Sequence, residues 1–217
     1  GWYAPSLASP AEAGFAGWSA QEAVQLLGTG VSSRAGTGGP MAEVVHRSLQ
    51  HLSRSDLEAM VAYLQALPQG AAASRSPSPS SRASASLPPA SGSSPAAPWP
   101  PPAASTSVEN TARGPGAALY ERHCAQCHGD DGRGRPAGGR PAYPALAGNR
   151  AVTMASPVNV VRTVLAGGYL PSTEGNPRPF GMPPFAHLLG DADVAAVASF
   201  VRGSWGNAAG PVSPLEV

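Results

Sequence analysis

The chain has 217 residues, enough for one or two small domains. Only 12% of them are charged, the formal net charge is +1, and no Lys/Arg run forms a stripe for tracking phosphates, which argues against nucleic acid as a partner. With 26 Gly and 25 Pro much of the chain must be loop, its two cysteines leave no disulfide framework, and no apolar run is long enough to span a bilayer.

In chain order, Ser19 is placed to cap a helix over Ala20–Leu27, with Glu22 in the reciprocal position of a capping box. Ser53 does the same for Arg54–Ala66, with Asp56 as its partner. From Pro68 to Arg113 the composition is dominated by Pro, Ser and Ala, as in Ser76-Pro77-Ser78-Pro79 and Trp99-Pro100-Pro101-Pro102. Such a stretch cannot bury a core and reads as a long disordered linker, with lone Trp99 incidental. As a flexible coil its ends lie roughly 35–40 Å apart. A helix over Gly116–Gln126 leads into Cys124-Ala125-Gln126-Cys127-His128. Ser156 followed by Pro157 starts another, which ends at Gly167-Gly168. The last begins at Gly190 or Asp191 and puts Val194, Val197, Phe200 and Val201 on one face. No strand pattern competes, so the expected fold class is all-α. The expected divisions are 1–67, the linker 68–113, a domain over 114–207, and a tail over 208–217.

The two flanks of the linker echo each other. Tyr3-Ala4-Pro5-Ser6-Leu7 matches Tyr143-Pro144-Ala145-Leu146, Leu27-Gly28-Thr29-Gly30 matches Leu165-Ala166-Gly167-Gly168, and Gly39-Pro40-Met41 matches Gly181-Met182-Pro183. Ser55–Leu64 matches Ala192–Val201. Four echoes in one order indicate an internal repeat.

Cys-x-x-Cys-His at 124–128 is the spacing of a c-type haem attachment site. Each thiol adds across a vinyl group on one porphyrin edge, and two intervening residues let both sulfurs reach that edge. The following imidazole, His128, then points under the ring to the iron. A zinc site and a redox dithiol are the alternatives. Zinc needs four ligands, and here His123, Cys124, Cys127 and His128 are nearly contiguous with no second pair downstream. A redox dithiol needs a βαβ setting that this chain lacks.

Met182, in Phe180-Gly181-Met182-Pro183-Pro184-Phe185, is the candidate sixth ligand, because a soft neutral thioether opposite His raises a haem's potential. His187 is the rival, Met60 and Met154 read as core filler, and His46, His51 and His123 as solvated histidines. His128 should donate its second ring N–H to a carbonyl, for which Pro144 is the candidate. Leu146 then packs on the haem. Gly116 allows the last helix to approach, and Tyr120 meets Val197 and Phe200 there.

This set resembles the class I cytochrome c domain over about Gly114–Arg202. Tyr143–Asn149, Val164–Gly168, Met182–Ala186 and Phe200–Asn207 resemble, more closely, the last haem domain of the multihaem cytochrome c subunit of membrane-bound alcohol, gluconate and sugar dehydrogenases. The resemblance implies an electron-transfer module, not itself an enzyme, with one covalent haem c. Its partners would be a catalytic dehydrogenase subunit and, downstream, quinone or a terminal oxidase. It also implies a periplasmic location at the outer face of the bacterial cytoplasmic membrane. Attachment of haem c outside the cytoplasm calls for a leader, and membrane contact would come from segments beyond this chain or from partner subunits.

Gly1–Leu67 resembles the later part of the family's preceding haem domain, with Met41 at the position of that domain's axial Met. No Cys-x-x-Cys-His precedes it, so covalent attachment there is excluded, and an isolated segment of this size is expected to be loosely folded. Missing upstream domains are the simplest account. Two other classes remain beside electron transfer. One is a haem-based small-ligand sensor from which Met182 departs, and the other a zinc-bearing interaction module.

Overall fold

The computed structural model describes residues 1–68, 114–137, 140–141 and 143–217. The expected linker over 68–113, Trp99 included, lies outside the described residues except for its first residue, Pro68.

In the first unit, α1 (Ala20–Thr29) begins where Ser19 Oγ accepts the Glu22 N–H at 3.2 Å. It runs two residues past the expected end because Gly30, at φ 79°, supplies the left-handed exit and returns its N–H to Leu26 O. α2 (Pro40–Arg47) leads through a 3-10 turn (Leu49–His51) to α3 (Arg54–Ala66). The Ser53–Asp56 capping box closes in both directions, at 3.2 Å and 3.3 Å. Phe15, Trp18, Leu26, Leu27, Val45, Leu57 and Val61 form the core of this unit. α3 packs on α1 through its Leu57/Val61 side, and the flank beyond it carries Met60 and Tyr63 into solvent. Met60 is therefore not the core filler expected of it.

The second unit comprises α4 (Pro115–His123), α5 (Ala125–His128), α6 (Arg150–Thr153), α7 (Val158–Ala166) and α8 (Asp191–Gly203). A two-residue hairpin, β1 (Pro136–Ala137) with β2 (Arg140–Pro141), lies in the loop after α5. The chain is helical, as its pattern indicated. These strands escaped the sequence reading because two residues are too few to show a period. α7 starts one residue later than expected, with Pro157 itself as the cap and no side-chain cap from Ser156. α8 starts at Asp191, with Gly190 as its cap, whose N–H is accepted by Asp193.

α4 and α8 form the main helix pair. Tyr120 is buried at their crossing, 5.3 Å from the Phe200 ring and 4.9 Å from Trp205. Val194, Val197, Ala198 and Val201 fill the core beneath. Arg202 is the largest fully buried side chain, and it meets carbonyls rather than a carboxylate. Its guanidinium donates to Val152 O, Met154 O, Ala155 O and Gly210 O, tying the end of α6 to the chain after α8. The stretch 208–217, set apart above as a tail, packs back on α8. Val212 is buried, and its N–H and C=O both pair with Ser199 Oγ.

Candidate functional site

The Cys-x-x-Cys-His segment does not continue α4. At Cys124 the backbone leaves the helix (φ −122°, ψ −38°) and re-enters as the single turn α5, which Gly129 stops at φ 78°. The expected continuous helix over 116–126 is thus broken at its first cysteine. The reason is local: Cys127 N and His128 N both turn back onto Cys124 O, at 3.1 Å and 2.9 Å. That tightening brings the two cysteines onto one turn, while Tyr120 Oη donates to Gly129 O at 2.6 Å and fixes its exit. Both thiols are free and half-buried. Burial and the neighbouring Cys127 push the Cys124 thiol up to about 11, opposite to the depressed value of a redox-active dithiol.

His128 is buried, and burial holds its imidazole below the usual value, so it is neutral at pH 7 and able to bind a metal. Its Nδ1 donates to Pro144 O at 2.9 Å, which fixes the tautomer and leaves Nε2 as the lone-pair nitrogen, with no hydrogen bond to it among the described residues. The loop carrying Pro144 is held from two sides. Leu146 N and Ala147 N donate to Gly132 O at 2.7 Å and 2.9 Å, and Gly134 N donates to His128 O at 2.7 Å.

From the other side comes Ser204–Asn207. Asn207, buried, accepts from Gly148 N at 2.8 Å and donates to Leu146 O and Val201 O. Trp205 lies over Gly132 and donates its indole N–H to Asp130 O at 3.1 Å. Trp205 takes a left-handed backbone conformation (φ 54°), which costs a non-glycine residue about 1–3 kcal/mol, and the surrounding bonds hold it there. Asn207 and Trp205 thus position the Pro144–Leu146 loop, a role the sequence reading missed. Replacing Asn207 with Ala orphans Gly148 N. The expected loss is about 1–3 kcal/mol of stability, measured as the urea midpoint of the haem-loaded protein. An unchanged midpoint would count against this clip.

Met182 arrives on a separate loop. Its N–H and C=O pair antiparallel with Gly168, at 2.8 Å and 3.1 Å. Gly167, at φ 66°, lies so close beneath that a Cβ there would meet the Met182 carbonyl. Half-buried Met182 borders a cleft of about 610 Å³ with Tyr169, Gly181, Pro183 and Pro184. The rival His187 is exposed, and Met154 is buried in the role expected of it. His46 is exposed, with Nδ1 donating to Ser172 O.

The donor chemistry fits a haem. Two free thiols share a turn with a neutral imidazole whose Nε2 is unengaged, and a thioether sits on a pinned loop. Leu146, Val164, Leu165 and Phe185 pack on the core yet stay partly exposed, which leaves apolar surface for a large ring to cover. Among the described residues no three of His, Cys, Asp and Glu converge as a metal-binding group, which does not favour zinc.

Comparison with known proteins agrees with this geometry. The family model for cytochrome c matches residues 114–205. Over 217 residues the chain is 32% identical to the cytochrome c subunit of alcohol dehydrogenase (quinone) from Gluconacetobacter polyoxogenes, covering 100% of this chain and 42% of that protein. It is 33% identical to the fructose dehydrogenase cytochrome subunit of Gluconobacter japonicus, over 98% of this chain and 42% of the relative. With the gluconate 2-dehydrogenase cytochrome c subunit of Pantoea cypripedii it shares 32% identity, over 96% and 42%. The chain therefore spans less than half the length of these relatives. Residues 114–205 are a domain of the cytochrome c family, a family defined by covalently bound haem c, and the chain as a whole is similar to part of the cytochrome c subunits of these dehydrogenases.

Proposed function

We propose that the unit beginning at residue 114 carries one covalent haem c, tethered through Cys124 and Cys127 and ligated by His128 and Met182, and that the chain works in electron transfer. The observation that carries this reading is the His128 Nδ1–Pro144 O bond, immediately after two free thiols on one turn. A haem held there supplies a one-electron Fe(III)/Fe(II) couple. The protein's part is to keep the imidazole neutral and oriented, to hold the Met182 thioether on a pinned backbone, and to cover the ring with Leu146 and neighbouring apolar side chains. Pro144 accepts the proton-bearing side of His128, which makes Nε2 a stronger donor. No substrate bond is made or broken by these groups.

The named relatives support the wider setting. The chain would act as a cytochrome subunit, taking electrons from a catalytic dehydrogenase subunit on the periplasmic side and delivering them to quinone or a terminal oxidase. No described helix is long and apolar enough to cross a membrane, so any membrane contact would be made by other segments or by partners.

The test is expression with a haem c maturation system, followed by intact mass and the reduced absorption spectrum. One covalent haem per chain is the expected result. A colourless, zinc-loaded protein would overturn the reading. Slow carbon monoxide uptake by the reduced protein, accelerated by Met182→Ala, separates electron transfer from the small-ligand sensor. Fast uptake by the unaltered protein would favour the sensor.

A further inference from the structure

The first unit lacks a haem motif, yet it touches the second at α6 (Arg34 O with Arg150 N), at α7 (Tyr3 with Asn159, Trp2 with Arg162) and along one loop. The Gly168–Met182 bridge closes a loop over residues 169–181, and first-unit residues hold the tip of that loop. Thr173, buried, donates its hydroxyl to Thr29 O at 3.1 Å. His46 Nδ1 donates to Ser172 O at 2.7 Å. Pro171 sits against Gly30 and Leu170 against Gly36, each so near that a Cβ on the glycine would collide with it. Gly175 lies beneath Thr29, where a Cβ would stand 3.2 Å from that residue's own Cβ. Within the second unit, the Thr173–Asn176 bridge, the Asn176 N–H to Thr173 Oγ1 bond and the Asn176–Pro171 bond organise the tip, and Phe180 stacks on Tyr143 nearer the base.

The loop contains no helix, so its order depends on what anchors it. A loop fixed at its base alone retains conformational freedom at its tip, and opening of such segments is set by the contacts that must break. Here the first unit supplies the Thr29 and His46 hydrogen bonds and the close packing at Gly30 and Gly36. The segment that begins at Gly168 and ends at Met182 is therefore clamped at both ends of its length, by the Gly168–Met182 bridge at the base and by Thr29, Gly30 and His46 at the tip.

We propose that the first unit is a brace for the Met182 loop, with Thr29, Gly30 and His46 as positioning residues that keep the loop closed and Met182 in place. The proposal rests on the reading of Met182 as an iron ligand. It gives the haem-less unit a task in the site of its neighbour: to suppress loop opening, and with it entry of an external ligand.

Carbon monoxide uptake by the reduced, haem-loaded full chain tests this, with Met182→Ala as the reference for a fully open site. The double variant His46→Ala/Thr173→Val removes both hydrogen bonds to the tip. Its expected uptake is about thirtyfold faster than the unaltered protein's, the factor two ordinary neutral hydrogen bonds account for. His46→Asn keeps a donor at the Nδ1 position and should restore the slow rate, which a merely structural histidine would not require. Gly175→Ala pushes on Thr29 from the loop side and should also accelerate uptake, and it serves if the double variant does not fold. Wild-type rates in the double variant and Gly175→Ala, beside fast uptake in Met182→Ala, would overturn the brace and leave the ligand assignment standing. An unchanged rate in Met182→Ala would overturn the ligand assignment, and the brace with it.

Discussion

Replacing Cys124 and Cys127 together with Ala should remove the covalent haem and cost the second unit most of its stability. The first effect follows from chemistry, since without thiols nothing can add to the porphyrin edge. The second follows from packing. His128 is buried in a setting that holds it neutral, and Leu146, Val164, Leu165 and Phe185 are only partly covered by protein. Covering an apolar side chain of this size is worth about 1.5–3 kcal/mol when complete. Even partial gains over four such residues come to several kcal/mol, against a total stability of about 5–15 kcal/mol for an ordinary domain. Intact mass and thermal unfolding followed by circular dichroism check both effects. The expectation fails if the double variant keeps the haem mass, or if it unfolds at the same temperature as the parent. Single replacements should keep one thioether and fall between.

What was legible in the sequence was local. Ser53 and Asp56 are three residues apart, and their reciprocal bonds are settled within one helical turn. Gly167 and Gly190 bound α7 and α8 for the same reason, because the backbone conformation at a helix end is set by the residue that occupies it. The Cys-x-x-Cys-His motif is likewise contained in five residues. What stayed hidden joins distant segments. Asn207 binds Gly148 and Leu146 across roughly sixty positions, and Arg202 reaches Val152, Met154 and Ala155 across nearly fifty. No periodicity or cap signals such partners, so Arg202–Asn207 carried meaning only through its likeness to a family.

The repeat shows a subtler limit. Ser55–Leu64 and Ala192–Val201 echo each other residue by residue, and both form helices. In α8 the face bearing Ala196, Val197 and Phe200 packs on α4, whereas in α3 the matching residues Ala59, Met60 and Tyr63 are exposed. The pattern specifies a helix with a face to bury. Whether that face is covered depends on a partner, which the echo does not contain. Reading Met60 as core filler failed on this point, while Met154, enclosed by the α6 end that Arg202 ties down, is buried.

Gly116→Ala should destabilise the second unit, although helix propensity taken alone favours the change. Alanine in a helix is worth up to about 1 kcal/mol over glycine, and less in the first turn, where Gly116 sits. Against that gain stands the crossing with α8. A Cβ on Gly116 would lie 2.9 Å from the Ala196 carbonyl carbon, closer still to its oxygen, and 3.0 Å from Phe200 Cβ. Ordinary contact begins near 3.4 Å. The obstructing atoms are backbone and Cβ, so no rotamer change relieves them, and the helices must move apart. Tyr120, one turn along α4, would lose its seat between Phe200 and Trp205, and the start of the Cys124 turn would shift with it. Over-packing of this kind costs about 1–3 kcal/mol, and the upper end is expected at a backbone contact. The propensity gain is then outweighed by about 2 kcal/mol. Gly203→Ala, at the last position of α8 with nothing within 4 Å of the new methyl, supplies the contrast and should be neutral or stabilising. Urea midpoints of the two variants decide between the effects. If Gly116→Ala proves as stable as Gly203→Ala, the close crossing of α4 and α8 is wrong, and the positioning of Cys124 derived from it must be abandoned.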